Sequence, residues 1–201
     1  MNYFFALPLG GFAKRINKDL LQPLQLVDEQ GQLHWSLEEN LHVTLAYLGP
    51  LTGSAVEGGA RARAMQAARL RSAIEIAEQI KMPSFACDVE SLGFFPDAKS
   101  RVLALHLKPD PALLSLQAKL LGGLQEAGFD CDDRPFKPHI TLARLKHRQA
   151  IRDWQLPSYS ATFSPQSFAL YASEQAGKTA KAKLYQQITE FSLDARQSAA
   201  Q

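Results

Sequence analysis

Apolar residues recur along this chain with two periods, one suited to strands and one to helices. Tyr3-Phe4-Phe5-Ala6-Leu7 is a short aromatic and aliphatic run closed by Pro8, which predicts a buried first strand. Phe12, Ile16, Leu20 and Leu24 are spaced for one face of a helix over residues 12–26, with Pro23 expected to end or bend it. A turn at Gln30-Gly31-Gln32 and a lead-in from His34 to Glu39 precede a strand that stops at Gly49-Pro50. Gly53 to Gly59 reads as a flexible connection, and Arg61 to Lys81 as an Ala-rich helix ended by Pro83. Two strands are expected over Phe85–Phe95 and Arg101–Leu107, joined by a turn from Pro96 to Ser100. Pro111 opens a helix carrying Leu113, Leu116, Leu120 and Leu124, which runs to Gly128. A strand at Pro138–Leu142 and two more over Thr162–Ala172 and Leu184–Leu193 complete the pattern, and the polar tail 195–201 is expected to fray. Helices and strands mix without a regular βαβ period, so the expected class is α+β rather than doubly wound.

Composition narrows the function without naming it. With 201 residues, 46% hydrophobic and 21% charged, the chain can bury a core without staples. A net charge of +2 is too small for a nucleic-acid coat, although a local basic site remains compatible with it. Cys87 and Cys131 stand alone and read as small buried hydrophobes rather than a redox pair or zinc ribbon. The apolar stretch Phe4–Phe12 is broken by Pro8, Gly10 and Gly11 and lacks a preceding basic residue, so it does not read as a secretory signal. No run is long enough to span a bilayer, and the expected location is the cytoplasm.

The chemistry is carried by a short pattern that occurs twice. Leu41-His42-Val43-Thr44-Leu45 reappears as Pro138-His139-Ile140-Thr141-Leu142. Side chains alternate faces along a strand, so His42 shares a face with Thr44 while Val43 and Leu45 point to the core; His139 and Thr141 repeat the arrangement. A lone strand histidine is usually structural, but two in the same context form a candidate pair. Two imidazoles titrating near neutrality suit a phosphodiester: one takes a proton from water and the other protonates the departing oxygen. Two neighbouring hydroxyls supply donors to the anionic oxygens. The remaining histidines, His34, His106 and His147, show no metal-ligand spacing, and no zinc site is expected. Strict alternation puts Arg144 on the face opposite His139, unless a bulge turns it. Arg134, Lys137 and the arginines at 61, 63, 69 and 71 read as solvated surface. Phe5 and Tyr47 read as core aromatics rather than base-stacking platforms.

These residues resemble the 2H phosphoesterases, a family named for two His-x-Thr/Ser motifs, and most closely its bacterial and archaeal RNA 2′,3′-cyclic phosphodiesterases, also called 2′-5′ RNA ligases. Asn40-Leu41-His42-Val43-Thr44-Leu45-Ala46-Tyr47-Leu48-Gly49 is similar to the first motif, with Tyr47 where Phe is common. Arg134-Pro135-Phe136-Lys137-Pro138-His139-Ile140-Thr141-Leu142-Ala143-Arg144 is similar to the second and more distinctive one. Tyr3–Leu7 resembles the opening strand, and Leu184-Tyr185 with Phe191-Ser192-Leu193 the closing one. Ala104 departs from the pattern, since relatives often carry an aromatic near this place.

The resemblance implies a single bilobal domain over residues 1–194, with two antiparallel sheets flanking a cleft and helices outside. It implies cofactor-free and metal-free opening of RNA or nucleoside 2′,3′-cyclic phosphates to 2′-phosphates by a monomer, with weak 2′-5′ ligation in reverse. His42 and His139 become the acid/base pair, Thr44 and Thr141 the phosphate donors, and Arg144 a phosphate clamp. His42 is expected to protonate O3′ and His139 to activate water, an order the motifs do not set. The rival readings are a phosphodiesterase for linear 2′-5′ oligonucleotides and a module that binds RNA ends without turning them over.

Overall fold

The computed structural model describes residues 1–51, 59–132, 134–147, 154–173 and 185–194. Its strands are β1 (Asn2–Pro8), β2 (Leu33–Trp35), β3 (His42–Gly49), β4 (Cys87–Phe95), β5 (Val102–Leu107), β6 (His139–Leu145), β7 (Ala161–Phe163), β8 (Ser167–Ser173) and β9 (Tyr185–Ser192). All pair antiparallel, in the order β7-β4-β5-β6-β3-β1-β8-β9, with β2 added beside β6. The two expected sheets are thus two halves of one curled sheet. They meet where β3 and β6 share the backbone pair Val43↔Ile140.

Helices close the apolar faces. The α4 helix (Pro111–Glu126) starts at Asp110, whose carboxylate accepts from the backbone N–H of Ala112 at 2.8 Å and of Leu113 at 3.3 Å, as an N-cap should. Leu113, Leu116, Leu120 and Leu124 repeat at three and four residues and are fully buried. The α3 helix (Ala60–Glu78) crosses α4 at Gly123, where an added Cβ would lie 2.7 Å from Ile76 Cγ2, so only glycine permits the approach. One apolar cluster runs through both halves, including Phe5, Leu7, Ile16, Leu103, Leu105, Phe168 and Phe191.

Three elements depart from the expected pattern. Pro23 does not end the helix over 12–26. Instead α1 (Gly11–Ile16) passes through a π-helical turn at Asn17–Leu21 into α2 (Gln22–Val27). Pro23 falls in the first turn of α2, where a missing N–H costs little. The expected strand Thr162–Ala172 is two strands, because Pro165 falls between them: β7 joins β4 in one half and β8 joins β1 in the other. The lead-in before His42 contains β2 and a short 3-10 turn at Glu38–Asn40. The expected connection at 53–58, Leu184 and the tail 195–201 lie outside the described residues.

Asp28 fixes β2 against the second His strand. This buried carboxylate accepts from Gln32 N–H at 2.6 Å, Leu33 N–H at 3.1 Å and Trp35 Nε1–H at 3.1 Å. Leu33 and Trp35 pair with Leu145 and Ala143 of β6. Removing the acceptor strands buried donors, and hydrogen bonds to a charged group are worth about 1.5–3 kcal/mol each. Asp28→Ala is expected to lower the unfolding free energy by about 2–4 kcal/mol in urea titrations. A loss under about 0.5 kcal/mol would mean that β2 is held by other contacts.

Candidate active site

The two His strands carry the same burial pattern, position for position. In both, the histidine and threonine are half-buried, the aliphatic residue between them is fully buried, and the fifth residue after the histidine is exposed. Antiparallel pairing at Val43↔Ile140 sets His42 across from Thr141 and Thr44 across from His139, all on one face. A local two-fold relation therefore falls between the strands, and it extends outward. Pro8 and Ala6 of β1 pair with His42 and Thr44, while His106 and Ala104 of β5 pair with His139 and Thr141.

Each strand also has one extra residue at the same place. Successive β1 residues Ala6 and Phe5 face Thr44 and Ala46, leaving Leu45 over, and successive β5 residues Ala104 and Leu103 face Thr141 and Ala143, leaving Leu142 over. Such a bulge resets the alternation beyond it. Arg144 is exposed rather than buried with Ile140, and its charge acts on the His139 ring, so strict alternation fails there. Tyr47 is its counterpart in β3 and is 50% exposed, which corrects its assignment to the core. Phe5 is fully buried as expected, against Phe168 and Phe191.

Both imidazoles are anchored alike. His42 Nδ1 lies 2.6 Å from the Asn40 carbonyl oxygen and His139 Nδ1 lies 2.9 Å from that of Lys137. A carbonyl only accepts, so Nδ1 carries the proton and the neutral ring keeps its lone pair on Nε2. Thr44 Oγ1 sits 3.1 Å from His42 Nε2 and donates to it in that state. Asn40 also accepts through Oδ1 from the Tyr185 N–H at 3.1 Å, tying β9 to the first motif. Burial pushes the pKa of His42 down. The Asn40 carbonyl pulls it up, and the nearby His139 adds to the lowering. Burial likewise pushes His139 down, opposed by the Lys137 carbonyl and aided by the charges of His106 and Arg144.

Space for a ligand opens on both sides of this pair. A cavity of about 330 Å³ is lined by Phe4, Asn40, His42, Tyr171 and Tyr185 among others. A second, of about 530 Å³, is lined by Thr44, Tyr47, Phe95, Arg134, Lys137 and His139 among others. Arg134 is exposed and paired with Asp132, and Lys137 is exposed, as their surface assignment requires; both nevertheless border the second cavity. The sequence reading missed three aromatics. Phe4 lies 5.1 Å from His42, Tyr185 meets the same ring edge-on, and Phe95 stacks on His139. Phe4 was accessible from alternation, since Phe5 points to the core and its neighbour must face the cleft. Tyr185 and Phe95 arrive from distant strands and leave no local signal.

An antiparallel α+β sheet curled so that two His-x-Thr strands meet on one face is the 2H phosphoesterase fold. A protein of Thermus thermophilus superposes with a TM-score of 0.74 at 23% identity, covering 98% of this chain and all of its own. Escherichia coli LigT in complex with 3′-AMP superposes at 0.71 with 25% identity, covering 96% and 97%. The chain belongs to the 2′-5′ RNA ligase superfamily, whose family model matches residues 15–177. An RNA 2′,3′-cyclic phosphodiesterase of Geobacillus stearothermophilus is 30% identical over 96% of this chain, which spans 57% of that relative's length. One from Thermotoga maritima is 26% identical over 82% of this chain and 89% of its own.

The two pKa directions have a measurable consequence. Both imidazoles should titrate below the ordinary value of 6.5 when followed by NMR of the ring signals. Each then binds fewer protons folded than unfolded as the pH drops through 6.5, so stability present above that value is lost on acidification. A midpoint at or above 6.5 for either ring would contradict the assigned burial effect.

Proposed function

We propose that this protein hydrolyses RNA or nucleoside 2′,3′-cyclic phosphates to 2′-phosphates, using His42 and His139 as an acid/base pair. The reading rests above all on two imidazoles sharing one cleft face, each anchored through Nδ1 to a carbonyl so that Nε2 is the basic atom of the neutral ring. The names of the relatives, RNA 2′,3′-cyclic phosphodiesterases, supply the substrate class.

In the proposed reaction His139 takes a proton from water through Nε2 as the water oxygen bonds to phosphorus. The P–O3′ bond breaks, and protonated His42 delivers its Nε2 proton to O3′, leaving the phosphate on O2′. A rate gain of roughly 10²–10⁴ for each proton transfer is the usual range. Thr44 and Thr141 donate to the non-bridging oxygens, and Arg144 adds positive charge where negative charge builds. The lowered pKa makes the imidazolium of His42 a stronger acid once formed, while reducing the fraction of His42 that carries the proton near neutrality. Residues 1–194 work as one bilobal, monomeric unit in the cytoplasm, without a metal, followed by the tail 195–201. Weak joining of ends follows from the same proton transfers when a 5′-hydroxyl replaces water: His139 takes its proton as the 5′ oxygen bonds to phosphorus, the P–O3′ bond breaks, and His42 protonates O3′, leaving a 2′-5′ linkage.

A second reading, cleavage of linear 2′-5′ oligonucleotides, draws on the cavities on both sides of the histidines, which offer room for a nucleoside at each side of a phosphate. Incubation of an RNA ending in a 2′,3′-cyclic phosphate in excess EDTA, with products read by ³¹P NMR, separates the outcomes. A 2′-phosphomonoester formed without metal is expected, and His139→Ala should lower kcat/KM by about 10²–10⁴-fold with an unchanged circular dichroism spectrum. A 3′-phosphate would overturn the assignment of the broken bond. Turnover of the 2′-5′ dinucleotide alone would favour the second reading, and tight binding without turnover would reduce the protein to a binding module.

A further inference from the structure

The ring of Phe95 lies flush against the imidazole of His139, with centroids 3.5 Å apart and planes at 16°. The other histidine has a different neighbour. By the two-fold relation of the registers, Ala104 with Gly93 corresponds to Ala6 with Ala169, so Phe95 corresponds to Tyr171 and Val102 to Phe4. In the first half Phe4 occupies the space beside His42, tilted by 37°, and Tyr171 stacks behind Phe4. In the second half the aliphatic Val102 presents no ring, and Phe95 itself reaches the imidazole. His106, across the strand pair from His139, flanks Phe95 at 5.8 Å. Its counterpart in the other half is Pro8, so this third imidazole belongs to one side only.

The charges around His139 oppose its protonation. His106 faces it from β5, Arg144 follows on its own strand, His42 lies across on β3, and Lys137 and the Arg134–Asp132 pair border its cavity. At Nδ1 the imidazole meets a carbonyl rather than a carboxylate. An aromatic face is electron-rich and attracts a cation laid over it, whereas a neutral imidazole gains much less. A stacked ring also removes rotational freedom from the side chain it covers.

We infer that Phe95 is the positioning residue of His139: its face fixes the imidazole plane and stabilises the imidazolium formed when His139 takes the proton of the attacking water. The inference rests on the proposed role of His139 as base and goes beyond the two motifs. Phe95 exchanges no proton and acts through the ring it covers.

Phe95→Leu removes the aromatic face and keeps most of the bulk, while Phe95→Tyr keeps the face. For Phe95→Leu, kcat on a 2′,3′-cyclic nucleotide should fall about 3–30-fold with KM within about twofold, the range a cation on an aromatic face supports. The NMR titration of His139 should move to lower pH, that of His42 should stay, and Phe95→Tyr should restore both kcat and titration. His106→Gln, which removes a positive neighbour, should move the His139 titration upward. An unchanged His139 titration in Phe95→Leu would overturn the inference. So would a raised KM with kcat intact, which would make Phe95 a substrate contact, or a Tyr variant that restores nothing. The titration needs no substrate. Absence of turnover by the unaltered protein would therefore sink the functional reading alone and leave the stack to be judged by NMR.

Discussion

The site depends on one backbone pairing, Val43 with Ile140, where the two halves of the sheet meet. Side-chain direction along a strand has period two, so a slip of one residue at this junction would send one histidine and its threonine into the core. The buried aliphatic residues forbid that slip. Val43 and Ile140 are fully buried, as is Leu142, and Leu45 is nearly so, and exposing them would cost about 25 cal/mol for each Å² of apolar surface. Core packing thereby fixes the register, and the register places the chemistry. The bulges at Leu45 and Leu142 then turn Tyr47 and Arg144 away from the core, which gives the symmetric frame an aromatic on one strand and a cation on the other.

Within this frame two opposing effects poise each imidazole. Burial removes water and disfavours the charged ring, while a backbone carbonyl at Nδ1 favours it and selects the tautomer. A carbonyl cannot be titrated away, so the anchor persists across the working pH range. The Asn40 side chain links the same loop to β9, and Asp28 holds β2, whose backbone pairs with β6, so each motif is braced by a distant part of the chain. In the proposed reaction an acid and a base held in this way lose little geometry when substrate arrives, which is the condition for efficient proton transfer.

Much of this was legible in the sequence, for physical reasons that also mark where legibility ends. The His-x-Thr repeats were readable because period-two alternation is local, and the Leu stripe of α4 because its spacing is a helix's own. Alternation alone pointed Arg144 away from the cleft unless a bulge turned it, and the bulge that does so depends on the partner strand rather than on the residue that bulges. Tyr47 was assigned to the core because large aromatics usually serve burial, a tendency that carries no information about which face a strand exposes. Pro23 was read as an end or a bend because its place in the first turn of a second helical segment depends on the π-helical register before it. The break at Pro165 was hidden because β7 and β8 lie in one sequence stretch but belong to different halves. Phe95 and His106 were invisible as site residues, because only the assembled sheet brings them to His139.

The central claim is that the two histidines act as one unit across the β3–β6 junction. The most direct test compares kcat for His42→Ala, His139→Ala and the double variant on one 2′,3′-cyclic nucleotide. If both protons move in a single concerted displacement, losing either partner removes most of what the pair supplies. The double variant should then be within about tenfold of the slower single one. Losses that multiply in full, with each single variant keeping its partner's whole contribution, would show two independent groups and contradict the account.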